Sequence, residues 1–161
     1  MSSLGPISNE HEKPRRILAV ASGGGHWVQL QRMMSAFEGN HLVFASTIPS
    51  LRGEVPKNRF YNIPDANRRQ PIALMWLMIK MMMIIVRERP HYVISTGAAP
   101  GYMSLLFGKI AGAQTIWVDS IANVDRLSMS GKLAGKVADL WLTQWPSLAK
   151  PEGPLFAGAV I

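Results

Sequence analysis

The sequence predicts a single α/β domain built on a doubly wound parallel sheet. Short apolar segments alternate with longer helical patterns, as expected for strands buried on both faces by crossover helices. The first apolar segment runs into three consecutive glycines and then a helical pattern, which predicts a strand, a tight turn and a crossover helix. The 161 residues, 48% of them hydrophobic, suffice for one such Rossmann-like domain with one core.

The first half of the predicted fold begins with an apolar strand at 17–21. After the glycine turn, apolar residues recur at helical spacing over 27–37, which predicts the first helix. The apolar runs at 41–45 and 60–63 predict the second and third strands. A proline-bearing loop at 49–57 separates these two strands.

A long apolar helix is predicted from Pro71 to Arg89, with Pro90 closing it. The next run, 92–95, reads as a strand followed by a turn at Thr96 and Gly97. Residues 101–111 then predict a helix.

The last third contains three predicted strands, at 114–119, 139–144 and 155–161. A short helix is predicted over 132–137, and Ser128 before it is expected to cap the helix rather than contact phosphate. Because ligands of such sheets bind at the carboxyl ends of the strands, the tips that follow these strands are candidate site positions.

The glycine loop is the first candidate. Ser22, Gly23, Gly24 and Gly25 let the backbone turn tightly and aim amide groups at an anion such as a diphosphate. The spacing fits neither a dinucleotide fingerprint nor a P-loop, and a tight turn without a ligand is the alternative. His26 follows at the helix start, where the dipole favours the neutral imidazole, so it is a candidate general base or ligand partner; hydrogen bonding to backbone is the alternative.

Two aspartates provide further candidates. Asp119 ends an apolar strand and could bind a sugar hydroxyl or act as a base, whereas a cap or a loop-ordering role is equally compatible with its position. Asp125 lies in the following loop, where a structural role is the better interpretation.

The helix at 71–89 has no polar stripe, although a crossover helix on a soluble domain normally keeps one wet face. It is also short for a bilayer span, so its outer face is expected in a lipid interface or a partner groove. The expected membrane contacts are Trp76, Lys80, Met83, Arg87 and Arg89. The alternative is a helix buried by neighbouring elements.

Composition restricts the function classes. The net charge of +7 favours an anionic partner or surface, but scattered basic residues without interleaved aromatics argue against nucleic acid. There is no cysteine and no histidine spacing typical of a metal site, so neither metal nor cofactor is predicted. Residues 1–15 form a polar segment that we expect to be a flexible tail. The absence of an acidic residue after the second strand argues against a dehydrogenase.

Three motifs resemble the oligosaccharide-biosynthesis family of the asparagine-linked glycosylation pathway and its bacterial capsule and exopolysaccharide relatives. They are SGGGHWxQL, VISTGAAPG and the run VDSIANVDRLSMSGKL followed by ADLWLTQWP. The resemblance covers about 16–161, and 118–146 is its most specific part. It implies the N-terminal, acceptor-side half of a GT-B glycosyltransferase divided between two chains, with a second subunit supplying the UDP-sugar site.

The resemblance also implies a substrate and a location. The expected acceptor is a polyprenyl-diphosphate-linked saccharide at the cytoplasmic face of the membrane, and the expected donor carries N-acetylglucosamine or glucuronic acid. Similarity to the peptidoglycan lipid-intermediate transferase places Gly23, Gly24, Gly25 and His26 on the loop facing the acceptor diphosphate. Ser22, Thr96 and Gly97, which also follow predicted strands, are expected to bind the same diphosphate. Many members have an N-terminal transmembrane helix that is not seen here, so attachment is expected through 71–89 or the partner. A non-catalytic membrane adaptor of a complete enzyme is the alternative function.

Overall fold

The computed structural model describes residues 13–160, so residues 1–12 of the predicted tail lie outside the described part. Strands and helices alternate as expected. The strands are β1 (Arg16–Ala21), β2 (His41–Ser46), β3 (Arg59–Asn62), β4 (Tyr92–Ser95), β5 (Gln114–Val118), β6 (Leu140–Thr143) and β7 (Leu155–Phe156). The α-helices are α1 (Gly25–Met33), α2 (Pro71–Glu88), α3 (Ala98–Ile110) and α4 (Met129–Ala134).

All the strands pair in parallel in one sheet of order β3-β2-β1-β4-β5-β6-β7. Ala19 of β1 pairs with Phe44 of β2 on one side and with Ile94 of β4 on the other. The chain order therefore reverses between β1 and β4, which is the topological switch point where such sheets bind ligands. The doubly wound α/β prediction is confirmed.

Alternation along β1 supplies both faces of the core, because successive strand residues point to opposite faces. Leu18 and Val20 pack on the side that also holds Leu77 of α2 and Leu105 of α3. The opposite face belongs to a second cluster, which includes Ile17, Ala19, Trp27, Leu30, Phe44 and Ile94. Burial on both faces explains why β1 is apolar throughout.

Helix α2 buries one face and exposes another that is also apolar. Leu77, Met81 and Ile84 are buried against the sheet side. Apart from Met78, the exposed large apolar residues of α2 recur every three or four positions and form one stripe, hereafter the α2 stripe: Ile72, Met75, Trp76, Ile79, Met82, Met83 and Val86. No helix within 13–160 has the length and hydropathy needed to cross a bilayer.

Several predicted boundaries were wrong. The helix expected at 27–37 ends at Met33 and continues as a 3₁₀ turn, and the short helix lies at Met129–Ala134 instead of 132–137. The last strand has two residues, Leu155–Phe156, rather than seven. The α2 helix stops one residue early because Arg89 takes the left-handed conformation and donates its backbone amide to Ile85.

Candidate functional site

The candidate site lies at the switch point, where the loops after β1 and β4 meet. The first is the glycine loop, Ser22 to Gly25, and the second is the turn of Thr96 and Gly97. Two hydrogen bonds join them: the Thr96 hydroxyl donates to the His26 carbonyl oxygen at 2.6 Å, and His26 Nδ1 lies 3.0 Å from the Thr96 carbonyl oxygen. The structure therefore brings the two predicted loops into one unit.

Two helices begin at this unit, and neither has a side-chain cap. The amides that open α1 follow Gly24, which has a φ of 65°, a left-handed conformation suited to glycine. Helix α3 begins at Ala98, which has a φ of 65° although it is not glycine. Such strain in a non-glycine residue costs about 1–3 kcal/mol and is typical of functional loops. Both sets of opening amides lack intrahelical acceptors, so an anion between them would meet two positive dipole ends.

The tautomer of His26 follows from its partner. A carbonyl oxygen only accepts hydrogen bonds, so Nδ1 must carry the proton that it donates to Thr96. Nε2 is then the unprotonated nitrogen, and no residue in the described range forms a hydrogen bond with it. His26 is half-buried at the start of α1. The ring therefore has the tautomer and the partial access that a general base needs.

The His26 ring packs directly against the Cα of Gly97, where only a residue without a Cβ atom fits. A Cβ atom at this position would lie 2.3 Å from Cε1 and 2.4 Å from Nδ1 of that ring. The Gly97 amide donates to the Ser95 hydroxyl at 3.2 Å, so it is already occupied. Gly97 and Thr96 thus position His26, and the amides free for an anion on this side begin at Ala98.

Asp119 is 1% exposed and accepts four hydrogen bonds. Its carboxylate receives Trp117 Nε1 at 3.1 Å, Asn123 Nδ2 at 3.0 Å, and the Ser128 amide and hydroxyl at 3.1 and 2.7 Å. Ser128 in turn caps α4 by accepting from the Gly131 amide at 2.8 Å, as its position predicted. These contacts favour the loop-ordering interpretation of Asp119 over a catalytic role. Asp125 is exposed in the loop that Asp119 holds.

Two buried glutamines, for which the sequence predicted no role, join the glycine loop to the Asp119 loop. Gln29 donates to the Gly25 carbonyl and the Ser120 hydroxyl, and it accepts from the Ile121 amide. Gln144 donates to Gln29 Oε1 at 2.6 Å. A polar residue on the buried face of α1, one turn after His26, was the signal that could have revealed Gln29.

The predicted membrane residues lie together on α2. Trp76 and Met83 are 59% and 63% exposed within the α2 stripe. Lys80 and Arg87 are exposed one helical step to one side of it, and Arg89 is exposed at the helix end. The alternative of a helix buried by neighbouring elements is therefore wrong for the described residues.

Sequence relatives of this chain fall in one family. A family model described as "Oligosaccharide biosynthesis protein Alg14 like" matches residues 54–158. The UDP-N-acetylglucosamine transferase subunit ALG14 of Mus musculus is 29% identical over 90% of this chain and 82% of its own length. The Schizosaccharomyces pombe subunit of the same name is 22% identical over 89% of this chain and 82% of its own.

Solved structures share the fold at low identity. Acinetobacter baumannii MurG superposes with a TM-score of 0.73 at 12% identity, covering 89% of this chain and 46% of MurG. A putative UDP-N-acetylglucosamine 2-epimerase from Listeria monocytogenes gives 0.62 at 12% identity, covering 81% of this chain and 39% of the epimerase. The chain thus spans less than half the length of these structures, which agrees with the predicted likeness to part of a GT-B enzyme.

Proposed function

The chain belongs to the Alg14-like oligosaccharide-biosynthesis family, and from that premise we propose that it is the acceptor-binding, membrane-attaching subunit of a two-chain glycosyltransferase. Its partner would carry the UDP-sugar site, and its acceptor would be a polyprenyl-diphosphate-linked saccharide. The relatives from mouse and fission yeast are named as transferase subunits, which supports a partner chain. The observation that carries the acceptor role is the meeting of two uncapped helix starts at the switch point.

In this proposal the acceptor diphosphate binds between the starts of α1 and α3. It would lie on the amides that follow Gly24 on one side and Gly97 on the other. No acidic residue occupies the first turn of either helix, so no carboxylate opposes the anion there. Backbone amides at a helix start bind phosphate without a metal ion, and the glycines let the ligand approach closely.

His26 is placed to assist the transfer. In an inverting displacement, the acceptor hydroxyl oxygen bonds to the anomeric carbon of the donor while the bond from that carbon to UDP breaks. Nε2 of His26 would take the hydroxyl proton, and the imidazolium would keep its Nδ1 hydrogen bond to Thr96. Asp119 would act indirectly by holding the loop 120–128.

Membrane attachment is proposed through the α2 stripe. The 18-residue helix is about 27 Å long and exposes apolar side chains along its outer face. A contiguous apolar patch of this kind is rare on monomeric soluble proteins. Lys80 and Arg87 beside the stripe would meet anionic headgroups, each contributing about 1 kcal/mol. We place the chain at the cytoplasmic face of the membrane as a peripheral or monotopic protein.

Reconstitution tests the subunit role. The partner is sought among neighbouring reading frames as a chain with a UDP-binding pattern. Transfer from radiolabelled UDP-sugars to a polyprenyl-diphosphate saccharide is then measured for each chain and for the mixture. Turnover only in the mixture supports a divided active site. Equal turnover by the partner alone supports the adaptor alternative, and robust turnover by this chain alone contradicts the division.

Sedimentation with vesicles tests the membrane role separately. Wild type is expected to sediment with vesicles containing phosphatidylglycerol, and Trp76→Glu combined with Met83→Glu is expected to remain in the supernatant with its fold intact. Ile110→Glu is the matched control, because Ile110 is 74% exposed on α3 and lies outside the stripe. If the control and the α2 variant sediment equally, lipid does not cover α2.

A further inference from the structure

A basic pocket of about 270 Å³ opens at the amino-terminal edge of the sheet, opposite the edge that holds the two loops. The first residues of β1, β2 and β3 line it: Arg16, His41 and Arg59. Lys57, just before β3, adds a further cation. Three adjacent strands therefore each begin with a basic side chain at one cavity, and neither the proposed transfer nor the α2 stripe uses them.

Glu88 holds two of these cations in place. The side chain is 1% exposed, and Oε1 accepts a hydrogen bond of 2.7 Å from Arg59 Nη1 and a second from the Tyr61 hydroxyl. Arg16 Nη1 donates to the Glu88 backbone carbonyl at 2.7 Å and lies 3.9 Å from Oε2. The contacts with the buried Glu88 thus fix the orientation of both guanidinium groups.

The charges at this pocket do not cancel. Burial opposes the ionisation of Glu88, but the hydrogen bonds from Tyr61 and Arg59 and the nearby charges outweigh it and lower the pKa of Glu88. One negative charge therefore stands against three positive charges, those of Arg16, Lys57 and Arg59. An excess of two positive charges in a concave site attracts an anion.

Donors also remain available. Each guanidinium uses one nitrogen on Glu88, and within residues 13–160 neither has another acceptor at hydrogen-bond distance. The side chains of Arg16 and Arg59 are 42% and 54% exposed, so a ligand in the pocket can reach them. Guanidinium groups that are already oriented bind phosphate oxygens with little further loss of side-chain entropy.

We propose that this pocket binds a phosphate group, either free phosphate or the phosphodiester of a lipid headgroup. The oriented forks of Arg16 and Arg59 contact the phosphate oxygens, and Lys57 adds a flexible charge. Tyr61 connects the pocket to the α2 side of the molecule, because it bonds to Glu88 and also borders an apolar cavity of about 550 Å³ beside Met83. A lipid whose chains enter that apolar cavity would bring its phosphodiester to the Tyr61 side of the pocket.

Titration with inorganic phosphate at constant ionic strength tests the shared chemistry. Backbone amide resonances of the protein alone are expected to move saturably at Arg16, Lys57 and Arg59. Lys57→Gln should weaken the apparent affinity by about fivefold or more, as expected for a charge-assisted contact. Lys57 makes no described bond to Glu88, so this variant should fold. Lys136→Gln, at an exposed lysine after α4 that does not line the pocket, removes the same charge and should bind as wild type does.

Partition into phosphatidylcholine vesicles with and without phosphatidylglycerol separates the two sources. For a headgroup ligand, Lys57→Gln loses several-fold more partition than Lys136→Gln, and inorganic phosphate competes. For free phosphate, titration saturates but the two variants partition equally. The proposal is overturned if phosphate produces no saturable shifts at the pocket and the two variants behave alike in both assays. Neither assay includes the partner chain or the acceptor, so this failure would leave the proposed transfer function untouched.

Discussion

Replacing Gly97 with alanine should have two effects at once: it should displace the His26 ring and lower the free energy of unfolding of the domain. Gly97 has φ 150° and ψ −177°, a region occupied almost only by glycine, and alanine there costs about 1–3 kcal/mol. The new Cβ would lie 2.3 Å from His26 Cε1, so the ring must retreat by about 1 Å or more to reach ordinary carbon contact. The Nδ1 hydrogen bond to Thr96 is then lost, which adds about 0.5–1.5 kcal/mol.

The sum of about 1.5–4.5 kcal/mol corresponds to a fall of roughly 3–18 °C in melting temperature for a domain of this size. Thermal unfolding and the imidazole ¹⁵N resonances of His26 are the measurements. Gly112→Ala is the matched control, since Gly112 has a φ of +87° but its Cβ would meet nothing within 4 Å. It should cost about 1–2 kcal/mol and leave His26 unchanged. If Gly97→Ala matches this control in stability and in the His26 resonances, the packing described for the site is wrong.

Four further changes test the site and the fold. His26→Ala should lower turnover of the reconstituted pair by about a hundredfold or more, and a loss below about threefold would make His26 structural. Ala98→Gly should raise the free energy of unfolding by about 1 kcal/mol in urea titration, because φ 65° strains alanine; a loss would contradict that strain. Asp119→Asn should destabilise by about 1–3 kcal/mol, since an amide cannot accept all four donors, whereas unchanged stability would favour a purely catalytic Asp119. Because the pKa of Glu88 is lowered in the folded state, its contribution is present above the unfolded value near 4.3 and is lost as pH falls through the folded value. Urea titrations between pH 7 and 3 should therefore show a smaller acid loss for Glu88→Gln than for wild type.

Local sequence patterns predicted the fold because the residues of each element suit the burial and the backbone conformation at their position. The run at 17–21 is apolar throughout since both faces of β1 are covered, and Pro71 opens α2 where a helix tolerates proline. Boundaries failed where a distant contact decides them. Helix α4 starts at Met129 because Ser128, held by Asp119, caps it there.

The loops of the site were predictable as loops, but their joining was not. The glycines after β1 and β4 and the histidine at the first helix are visible in the sequence. The two hydrogen bonds between His26 and Thr96 join positions 70 residues apart, and only the strand order brings these positions together. Gln29 and Gln144 are 115 residues apart, so no local pattern could pair them.

The sequence predicted an apolar outer face on α2 but left open whether neighbouring elements of the chain bury it. Every face of this helix carries apolar residues, so periodicity could not distinguish the sheet side from the solvent side. The structure assigns Leu77, Met81 and Ile84 to the core and leaves the α2 stripe uncovered by the described residues. The predicted outward residues, Trp76 and Met83, lie on that exposed side.

Titration of the isolated chain with a short-chain polyprenyl-diphosphate saccharide tests the acceptor-side assignment most directly. The amides of residues 23–26 and 98–99 should shift saturably, because they open the two helices at the switch point. The same saccharide without its diphosphate should move them little. If the diphosphate ligand binds while these amides stay unchanged and residues elsewhere shift, the two loops do not hold the acceptor and the proposed role of this chain is wrong.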